Sequence, residues 1–500
     1  MAEIVLTAFN ARFSHPSMGL RALLANLGPL RPQTALLEFD LETRPEEALE
    51  AVLHLNPRII GCGVYIWNTA LVTRFATLLK TIRPEIKLVL GGPEASHALD
   101  HHPLGELADH RVVGEGELIF PDICHALLHG HPPLARKILA PPPDLATVQF
   151  PHDEYSAHDL AHRHLYVESS RGCPYRCSFC LSALDHKVRR FPIPRLLTAL
   201  ESLIARGGRH FKFVDRTFNL GEEHATAILD FFLERIQIPG LFIHFEMVPD
   251  RLTAGLQERL AAFPPGSLQL EIGIQSFNPQ VLQAIDRHQD NGRAEENLRW
   301  LLTSTQAHIH TDLIVGLPQE SLESLAQGFD RLIAIGPHEI QVGILKRLAG
   351  TPLCSSSASE AMRFDPHPPY ELLENRQLDF LTMRRLKRFA RYWDLVGNSG
   401  RFTHALRAIF SHHPPFATFL AFSDRLHAVS GQTHRIALPR LAMLVKECFL
   451  PLLDAREQAR FTSALEHDQA NWHAKSQKHP DSHPPPRQQR HLSHHPETAQ

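Results

Sequence analysis

The feature that most constrains the fold is an alternation of short apolar runs with amphipathic helical patterns, which occurs in two series. In the first series, within residues 1–130, the predicted strands are 3–9, 34–39, 58–66, 86–91 and 110–114. Short apolar strands that alternate with helices indicate a parallel sheet covered by helices on both faces. We therefore predict an α/β protein whose N-terminal domain is a doubly wound parallel sheet.

The second series, within residues 161–352, repeats the pattern with six predicted strands: 164–170, 210–216, 241–247, 267–275, 308–317 and 339–348. Six such units indicate a partial (β/α)6 barrel, with catalytic groups expected at the carboxyl ends of its strands. Residues 131–160 hold six prolines, which predicts an interdomain linker. Residues 353–465 are predicted to be a helical domain, and residues 466–500, rich in His, Pro and Gln, a disordered tail.

Composition narrows the classes of protein that the chain can belong to. Five hundred residues require two or three domains, and a net charge of -3 provides no bulk attraction to nucleic acid or membrane. A cluster of arginines near 384–391 leaves a local contact with RNA open. No apolar run is long enough to span a bilayer, and the N-terminus lacks the pattern of a secretory signal. Seven cysteines, three of them within eight residues, favour a reducing compartment, so we expect a cytoplasmic protein.

The three clustered cysteines lie in the stretch 168–181, ESSRGCPYRCSFCL, directly after the first strand of the second series. Cys173, Cys177 and Cys180 have C-x3-C-x2-C spacing. Three thiolates this close can hold three corners of a [4Fe–4S] cube and leave one iron open to a small molecule. A zinc loop or three unrelated thiols are the alternatives. Structural zinc generally has four ligands and favours paired C-x2-C units, and the sequence has no second pair.

Polar residues follow the later strands of the second series at corresponding positions. Because the carboxyl ends of barrel strands meet at one mouth, we expect these side chains to converge there, although each alone could be a cap or a turn residue. They are Asp215, Arg216 and Asn219, then Glu246, then Glu271, Gln275, Ser276 and Arg287, and finally Asp312.

Glycines mark the strand ends of the first series. Because glycine has no Cβ, a bulky flat ligand can approach the backbone in the crevice beyond the carboxyl ends of the strands. No G-x-G-x-x-G follows the first strand, so a dinucleotide site is poorly supported. The residues at this edge are Gly61, Gly63, Gly91, Gly92, Gly114 and Glu115.

The triplet, the stretch from GIQSF to Arg287 and the segment DLIVGLP resemble radical S-adenosylmethionine (SAM) enzymes, with closest motif similarity to the oxygen-independent coproporphyrinogen dehydrogenase type. An α/β domain ahead of the barrel resembles the cobalamin-binding subgroup. The resemblance implies that the three cysteines bind the cluster and that SAM chelates its open iron. It further implies SAM contacts by Glu246, Gln275, Arg287 and Asp312, with the segment of Asp215 near the SAM amino group.

The resemblance also implies cobalamin on the glycine-rich edge and an external one-electron reductant such as flavodoxin or ferredoxin. Some cobalamin domains ligate cobalt through the histidine of a D-x-H-x2-G motif. Here His15 and Gly19 have H-x3-G spacing, and Phe13 stands where that motif has aspartate. A loop histidine is more often a surface or hydrogen-bonding residue. We therefore expect cobalamin without a protein ligand to cobalt.

The expected function is a cobalamin-dependent radical SAM enzyme that methylates or rearranges an unactivated carbon of an unknown substrate. Three alternatives remain open from the sequence. The first is a radical SAM enzyme without functional cobalamin, and the second is a non-catalytic sensor that binds a cluster or a corrin. The third is a zinc-stapled RNA-binding protein.

Overall fold

The computed structural model describes residues 2–357 and 361–478. The first six strands form one parallel sheet in the order β2-β1-β3-β4-β5-β6. The strand order reverses between β1 and β3, and a ligand crevice in a sheet of this kind lies at such a switch point. The strands are β1 Ile4–Asn10, β2 Thr34–Asp40, β3 Ile59–Gly63, β4 Lys87–Gly91, β5 His110–Gly114 and β6 Lys137–Ala140.

Helices cover both faces of this sheet, and two separate apolar clusters, one on each face, hold them to it. The predicted doubly wound sheet is therefore confirmed. The helices are α1 Met18–Ala25, α2 Pro45–Leu53, α3 Thr69–Ile82, α4 Pro93–His97, α5 Pro103–Leu107 and α6 Ile119–Leu128.

The proline-rich stretch is not a plain linker. Residues Lys137–Ala140 extend the first sheet as β6, with Gly114 of β5 opposite Ala140. Proline cannot donate to a strand ladder, and these four residues lie between Pro133 and Pro141 without a proline among them. The prediction of a linker is wrong for these residues because an edge strand needs only a short proline-free run.

The second sheet has the order β14-β13-β12-β11-β10-β7, and every pairing is parallel. This is the expected partial barrel. Its elements are α7 Ala157–His162, β7 Leu165–Val167, the short antiparallel pair β8 Ser170–Arg171 and β9 Arg189–Arg190, α8 Ile193–Ala205, β10 His210–Phe213, α9 Glu222–Leu233, β11 Phe242–Met247, α10 Ala254–Ala261, β12 Leu268–Gln275, α11 Pro279–Ala284, α12 Asn291–Ser304, β13 His308–Val315, α13 Leu322–Ile335 and β14 Glu339–Ile344.

Alternation along the barrel strands separates an apolar side from a polar interior. In β12, Leu270, Ile272 and Ile274 belong to the large apolar core shared with the surrounding helices. Because successive side chains of a strand point to opposite faces, Glu271 and Gln275 point the other way, into the barrel. The barrel therefore presents polar groups to its own interior.

The C-terminal region is helical, as predicted, and its α15 packs against the barrel, where the indole Nε1 of Trp393 donates to the Ile340 carbonyl at 2.9 Å. Helices Thr403–Phe410 and Pro415–Ser430 are separated at Pro414 and Pro415, where proline disfavours a continuous helix. The elements are α14 Pro352–Ser356, β15 Arg363–Phe364, β16 Leu372–Glu374, α15 Phe380–Val396, α16 Thr403–Phe410, α17 Pro415–Ser430, α18 Leu438–Phe449 and α19 Ala455–Lys478.

The disordered tail was predicted to begin at residue 466, which is too early. Helix α19 continues to Lys478, and Trp472 holds it in place by donating from its indole to the Arg401 carbonyl at 2.8 Å. Residues 479–500 lie outside the described residues. Across 2–357 and 361–478, no helix combines the length and apolar character needed to cross a membrane.

Most cationic side chains of the basic helix near 384–391, which had suggested a contact with RNA, form ion pairs in the fold. Arg385 binds Asp424 at 2.6 Å, and Lys387 binds Glu371 at 2.8 Å. These cations are thus used within the C-terminal region, which weakens the case for nucleic acid there.

Candidate active site

The cysteine loop begins in a tightly constrained turn. Gly172 has φ +88°, and a Cβ built on it would lie 2.9 Å from the Asp185 carbonyl oxygen and closer still to that of Lys187. The next residue, Cys173, donates its N–H to the same Asp185 carbonyl at 2.8 Å. Only glycine fits this backbone, so the loop enters the site in one defined path.

The three thiols of the loop differ in exposure. Cys173 and Cys177 are buried, whereas Cys180 is half-buried. Burial raises the pKa of the Cys173 and Cys177 thiols, and nearby Arg287 partly offsets this effect. Because metal binding deprotonates a thiol outright, a bound cluster would hold all three as thiolates.

The loop fits an iron–sulfur cluster better than a single zinc ion. Among residues 2–357 and 361–478, no three His, Cys, Asp or Glu side chains converge on a position for one ion. The corners of a [4Fe–4S] cube lie further apart than the ligands of one ion, and a cube needs only the three thiols present. The donor set therefore fits the predicted cluster.

Arg287 joins the cysteine loop to the end of β12. Its Nη1 lies 3.7 Å from the Cys177 Sγ, and its Nη2 donates to the Gly273 carbonyl at 2.5 Å. Gln275 lies at the same place, where the ladder register shifts, with φ +68° and its side-chain amide folded over Gly273. Of the residues predicted to contact SAM, Arg287 thus touches a cysteine of the loop, and Gln275 lies against Gly273, whose carbonyl Arg287 binds.

Asp215 holds the segment that leads into the cysteine loop. Its carboxylate accepts from the Ser169 N–H at 2.9 Å, the Ser169 hydroxyl at 2.7 Å and the Ser170 hydroxyl at 2.5 Å. The side chain is buried, and burial raises its pKa. These bonds occupy the carboxylate, so its predicted place near the SAM amino group stays a prediction that the geometry does not favour.

Glu246 and Arg216 form an ion pair at the mouth, with 2.7 Å between Nη1 and Oε2. Burial raises the pKa of Glu246 to about 6, and Arg216 opposes that rise. Asn219 instead ties the segment after β10 to the segment after β11, accepting from the Val248 N–H at 2.8 Å and donating to the Val248 carbonyl at 2.9 Å. Ser276 serves a local turn, where it accepts from the Asn278 N–H at 3.0 Å.

The barrel interior also contains two buried histidines that lie against carboxylates. His244 Nε2 lies 3.2 Å from Glu271 Oε2, and His310 Nε2 lies 3.1 Å from Asp312 Oδ1. Burial lowers the pKa of His310, but Asp312 more than reverses this and raises it to about 9. Asp312 therefore lies beside a histidine whose protonated form it stabilises.

The glycines of the first domain serve different purposes. A Cβ at Gly61 would lie 2.7 Å from the Leu6 side chain, and one at Gly92 would lie 2.8 Å from the Val64 carbonyl, so both serve packing. A Cβ at Gly114 would likewise lie 2.9 Å from a carbonyl oxygen. At Gly91 it would meet nothing within 4 Å, whereas at Gly63 it would touch the Tyr65 ring at 3.4 Å and the Leu20 side chain at 3.9 Å. Open space for a flat ligand is therefore found at Gly91.

His15 is engaged by the barrel. Its Nδ1 lies 2.5 Å from the Tyr166 hydroxyl of β7, and the N–H of the adjacent His164 donates to the Ser14 carbonyl at 3.0 Å. This position fits the expectation that His15 does not ligate cobalt.

Glu115 belongs to a set of charged residues between the two domains. Arg171 binds Glu115, Glu117 and Glu168, and Arg189 binds Glu115 and Asp185. Burial raises the pKa of Glu168 to about 7, although Arg171 opposes that rise. We call this set the interdomain ion cluster; it comprises Glu115, Glu117, Glu168, Arg171, Asp185 and Arg189. Arg171 and Glu117 were not predicted as site residues. Arg171 lies two residues before Cys173, and Glu117 two residues after Glu115, so their positions in the sequence could have indicated them.

Three family models match the chain. Residues 4–124 match the B12 binding domain, residues 167–332 the Radical SAM superfamily and residues 361–476 DUF4080, a protein of unknown function. The barrel thus matches the radical SAM model, and the sheet domain ahead of it matches the B12 binding model. These matches confirm the resemblance to cobalamin-binding radical SAM enzymes and, at the level of the matched domains, the three predicted cofactors: [4Fe–4S] cluster, SAM and cobalamin.

Curated relatives include two methyltransferases. The cobalamin-dependent radical SAM methyltransferase TokK of Streptomyces tokunonensis is 25% identical over 329 residues, 58% of this chain and 47% of that protein. The 2-(S-pantetheinyl)-carbapenam-3-carboxylate methyltransferase of Streptantibioticus cattleyicolor is 27% identical over 57% of this chain and 46% of that protein. The chain spans about half the length of the curated relatives it matches.

Solved structures share the fold. The cobalamin-dependent SAM radical enzyme OxsB, with aqua-cobalamin and SAM bound, has a TM-score of 0.63 and 12% identity, covering 94% of this chain and 84% of that chain. The methyltransferase TsrM of Kitasatospora setae has a TM-score of 0.59 and 16% identity, covering 76% of this chain and 81% of that chain. At these identities the likeness establishes the architecture of sheet domain and barrel.

Proposed function

We propose that this protein is a cobalamin-dependent radical SAM enzyme that transfers a methyl group to an unactivated carbon. One observation carries the proposal. The loop that follows β5 at the glycine-rich edge is joined by Arg171 to the start of the cysteine loop, with 2.6 Å between Arg171 Nη2 and Glu117 Oε1. Cobalamin bound at that edge would therefore lie beside an iron–sulfur cluster held by the cysteines.

When bound, the reduced cluster supplies the electron that cleaves SAM, and cobalamin supplies a methyl group. The protein binds and orients. Cys173, Cys177 and Cys180 would hold the cluster, and Arg287 would fix Cys177 and compensate its negative charge. Glu246, held by Arg216 at 2.7 Å, offers a carboxylate that can accept hydrogen bonds from adenosine hydroxyls.

The barrel interior contributes further positioning residues. His310 holds Asp312 in place at 3.1 Å, and Lys212 helps to keep Glu271 ionised, since its charge lowers the pKa of that carboxyl. These pairs hold charged groups in fixed positions inside the barrel. Such preorganised groups orient a substrate without further rearrangement.

The reductant and the location belong to the same proposal. All seven cysteines are free thiols, as a reducing cytoplasm would keep them. An external one-electron donor of the flavodoxin or ferredoxin type would reduce the cluster. Retention of the open space at Gly91 favours a functional cobalamin domain over one that has lost its ligand.

Anaerobic reconstitution tests the proposal. Protein incubated with iron, sulfide and hydroxocobalamin should show a [4Fe–4S] spectrum, keep cobalamin through gel filtration and release 5′-deoxyadenosine from SAM with dithionite. The Cys173→Ala, Cys177→Ala and Cys180→Ala variants should each lose the cluster and the cleavage but keep cobalamin.

The controls separate the alternatives. Cys354→Ala should behave as the unaltered protein, because Cys354 lies outside the triplet. A cluster without SAM cleavage would indicate a sensor, and cleavage without retained cobalamin would indicate an enzyme that lacks a functional corrin. Recovery of zinc alone would contradict the whole proposal.

A further inference from the structure

The interdomain ion cluster spans two cofactor regions of the protein. Glu115 and Glu117 lie in the loop after β5, at the edge predicted for cobalamin, whereas Arg171 and Arg189 are the paired residues of β8 and β9 that frame the cysteine loop. Glu117 and Arg171 are 54 positions apart in the sequence, so this contact exists only in the folded chain.

The contacts are close and largely buried. Arg171 reaches three carboxylates, at 2.5 Å for Glu115, 2.6 Å for Glu117 and 2.9 Å for Glu168. The Arg171 side chain is 12% exposed and that of Glu117 is 9% exposed. At this burial the pairs are screened far less than surface pairs, and losing one partner leaves an uncompensated charge.

Both ends of the cysteine loop are held by these residues. Arg171 stands two residues before Cys173. On the far side, Arg189 binds Glu115 and also Asp185, at 3.0 Å, and the Asp185 carbonyl is the acceptor for the Cys173 N–H. The loop that would carry the iron–sulfur cluster is thus clamped from both sides to the first domain.

We infer that Glu115 and Glu117 are positioning residues for the iron–sulfur loop, acting through Arg171 and Arg189, so that docking of the corrin domain sets both the geometry and the charge around the cluster. This inference rests on the proposed function only in its use of the cluster. Two arginines face four carboxyls here, and removing two carboxylates makes the surroundings more positive. A more positive environment favours the reduced cluster, because reduction adds negative charge.

The first test uses the cluster potential. The reconstituted Glu115→Gln/Glu117→Gln variant should show a midpoint potential shifted to more positive values than the unaltered holoprotein. Glu106→Gln is the matched control, since Glu106 is a first-domain carboxylate paired with Arg136 at the surface and 79% exposed. An unchanged potential in the double variant, with normal iron content, would overturn the inference.

The second test needs no cofactor. In the apoprotein, the double variant should react with iodoacetamide at Cys173 several times faster than the unaltered protein, because a loosened loop exposes the thiol. Arg171→Lys should do the same, since a lysine cannot bridge three carboxylates at once. Equal labelling rates would contradict positioning even if no cluster ever forms, which separates this failure from failure of the proposed function.

Loss of folding in the double variant would be detected by circular dichroism. In that case the single Glu117→Gln variant decides, with the same two measurements. Faster labelling and a positive shift support the inference, and unchanged values of both overturn it.

Discussion

Arg287 places one guanidinium nitrogen 3.7 Å from the sulfur of Cys177 while another binds the Gly273 carbonyl at the strained end of β12. One side chain therefore connects the cysteine loop to the strand that carries Gln275. Because the guanidinium is planar and forked, it can hold both groups at a fixed angle.

Changing Arg287 should impair the site without unfolding the protein. We expect Arg287→Gln to lower the rate of SAM cleavage by about 10- to 100-fold, as is usual for residues that support metal ligands. The measurement is 5′-deoxyadenosine release by reconstituted protein. Arg293→Gln, at an exposed position of α12, is the control and should cleave at the normal rate. A normal rate for Arg287→Gln would show that Cys177 needs no such support.

Asp215 should matter for stability more than for SAM. The Asp215→Asn variant replaces an acceptor of three hydrogen bonds by a group with one acceptor, so we expect a loss of about 1–3 kcal/mol in the free energy of unfolding. Urea denaturation of the apoprotein measures this loss. Asp153→Asn, at a position 88% exposed, should change it by less than about 0.5 kcal/mol. If the Asp215→Asn variant instead binds SAM more weakly at unchanged stability, Asp215 contacts SAM as the sequence predicted.

The two kinds of glycine in the first domain should respond differently. Gly91→Leu fills space in which a Cβ meets no atom within 4 Å, so it should reduce cobalamin retention and leave stability nearly unchanged. Gly61→Ala places a methyl group against Leu6 and Phe120, which should cost about 1–3 kcal/mol of stability by overpacking. Gel filtration with cobalamin and thermal unfolding make the comparison. If the Gly91→Leu variant retains cobalamin fully, the corrin does not bind at this edge.

Glu94 should make stability depend on pH. Burial raises its pKa to about 7, with partial opposition from Tyr370 and Arg347, against a usual value near 4.5. A carboxyl whose pKa is raised on folding gives its full stability below the unfolded value and loses it as pH rises through the folded value. Glu94→Gln mimics the neutral form. Its stability relative to the unaltered protein should therefore increase between about pH 5 and 7, by roughly 3 kcal/mol in total.

Comparing the two proteins at each pH removes the contribution of every other titrating group. Urea denaturation midpoints from pH 5 to 8 provide the measurement. A difference between Glu94→Gln and the unaltered protein that stays constant over this range would contradict a raised pKa at Glu94.

The sequence by itself determined the architecture and the cofactor chemistry. Apolar periodicity located all five predicted strands of the first sheet and all six of the barrel, because buried parallel strands must be apolar and short. The spacing of Cys173, Cys177 and Cys180 indicated the cluster, since three thiolates this close can hold three corners of a cube and leave one iron open. These features are local, and local patterns are visible in a sequence.

Only the tertiary structure decided which residues that are distant in sequence contact one another. It showed that Asp215 accepts hydrogen bonds from Ser169 and Ser170, that Gly61 packs in the core, and that His15 bonds the Tyr166 hydroxyl. It also revealed β6, whose four residues pair at an edge that no local pattern marks. The contact of Glu117 with Arg171 joins positions 54 residues apart. Such pairs depend on how the two domains dock, and periodicity and spacing carry no information about docking.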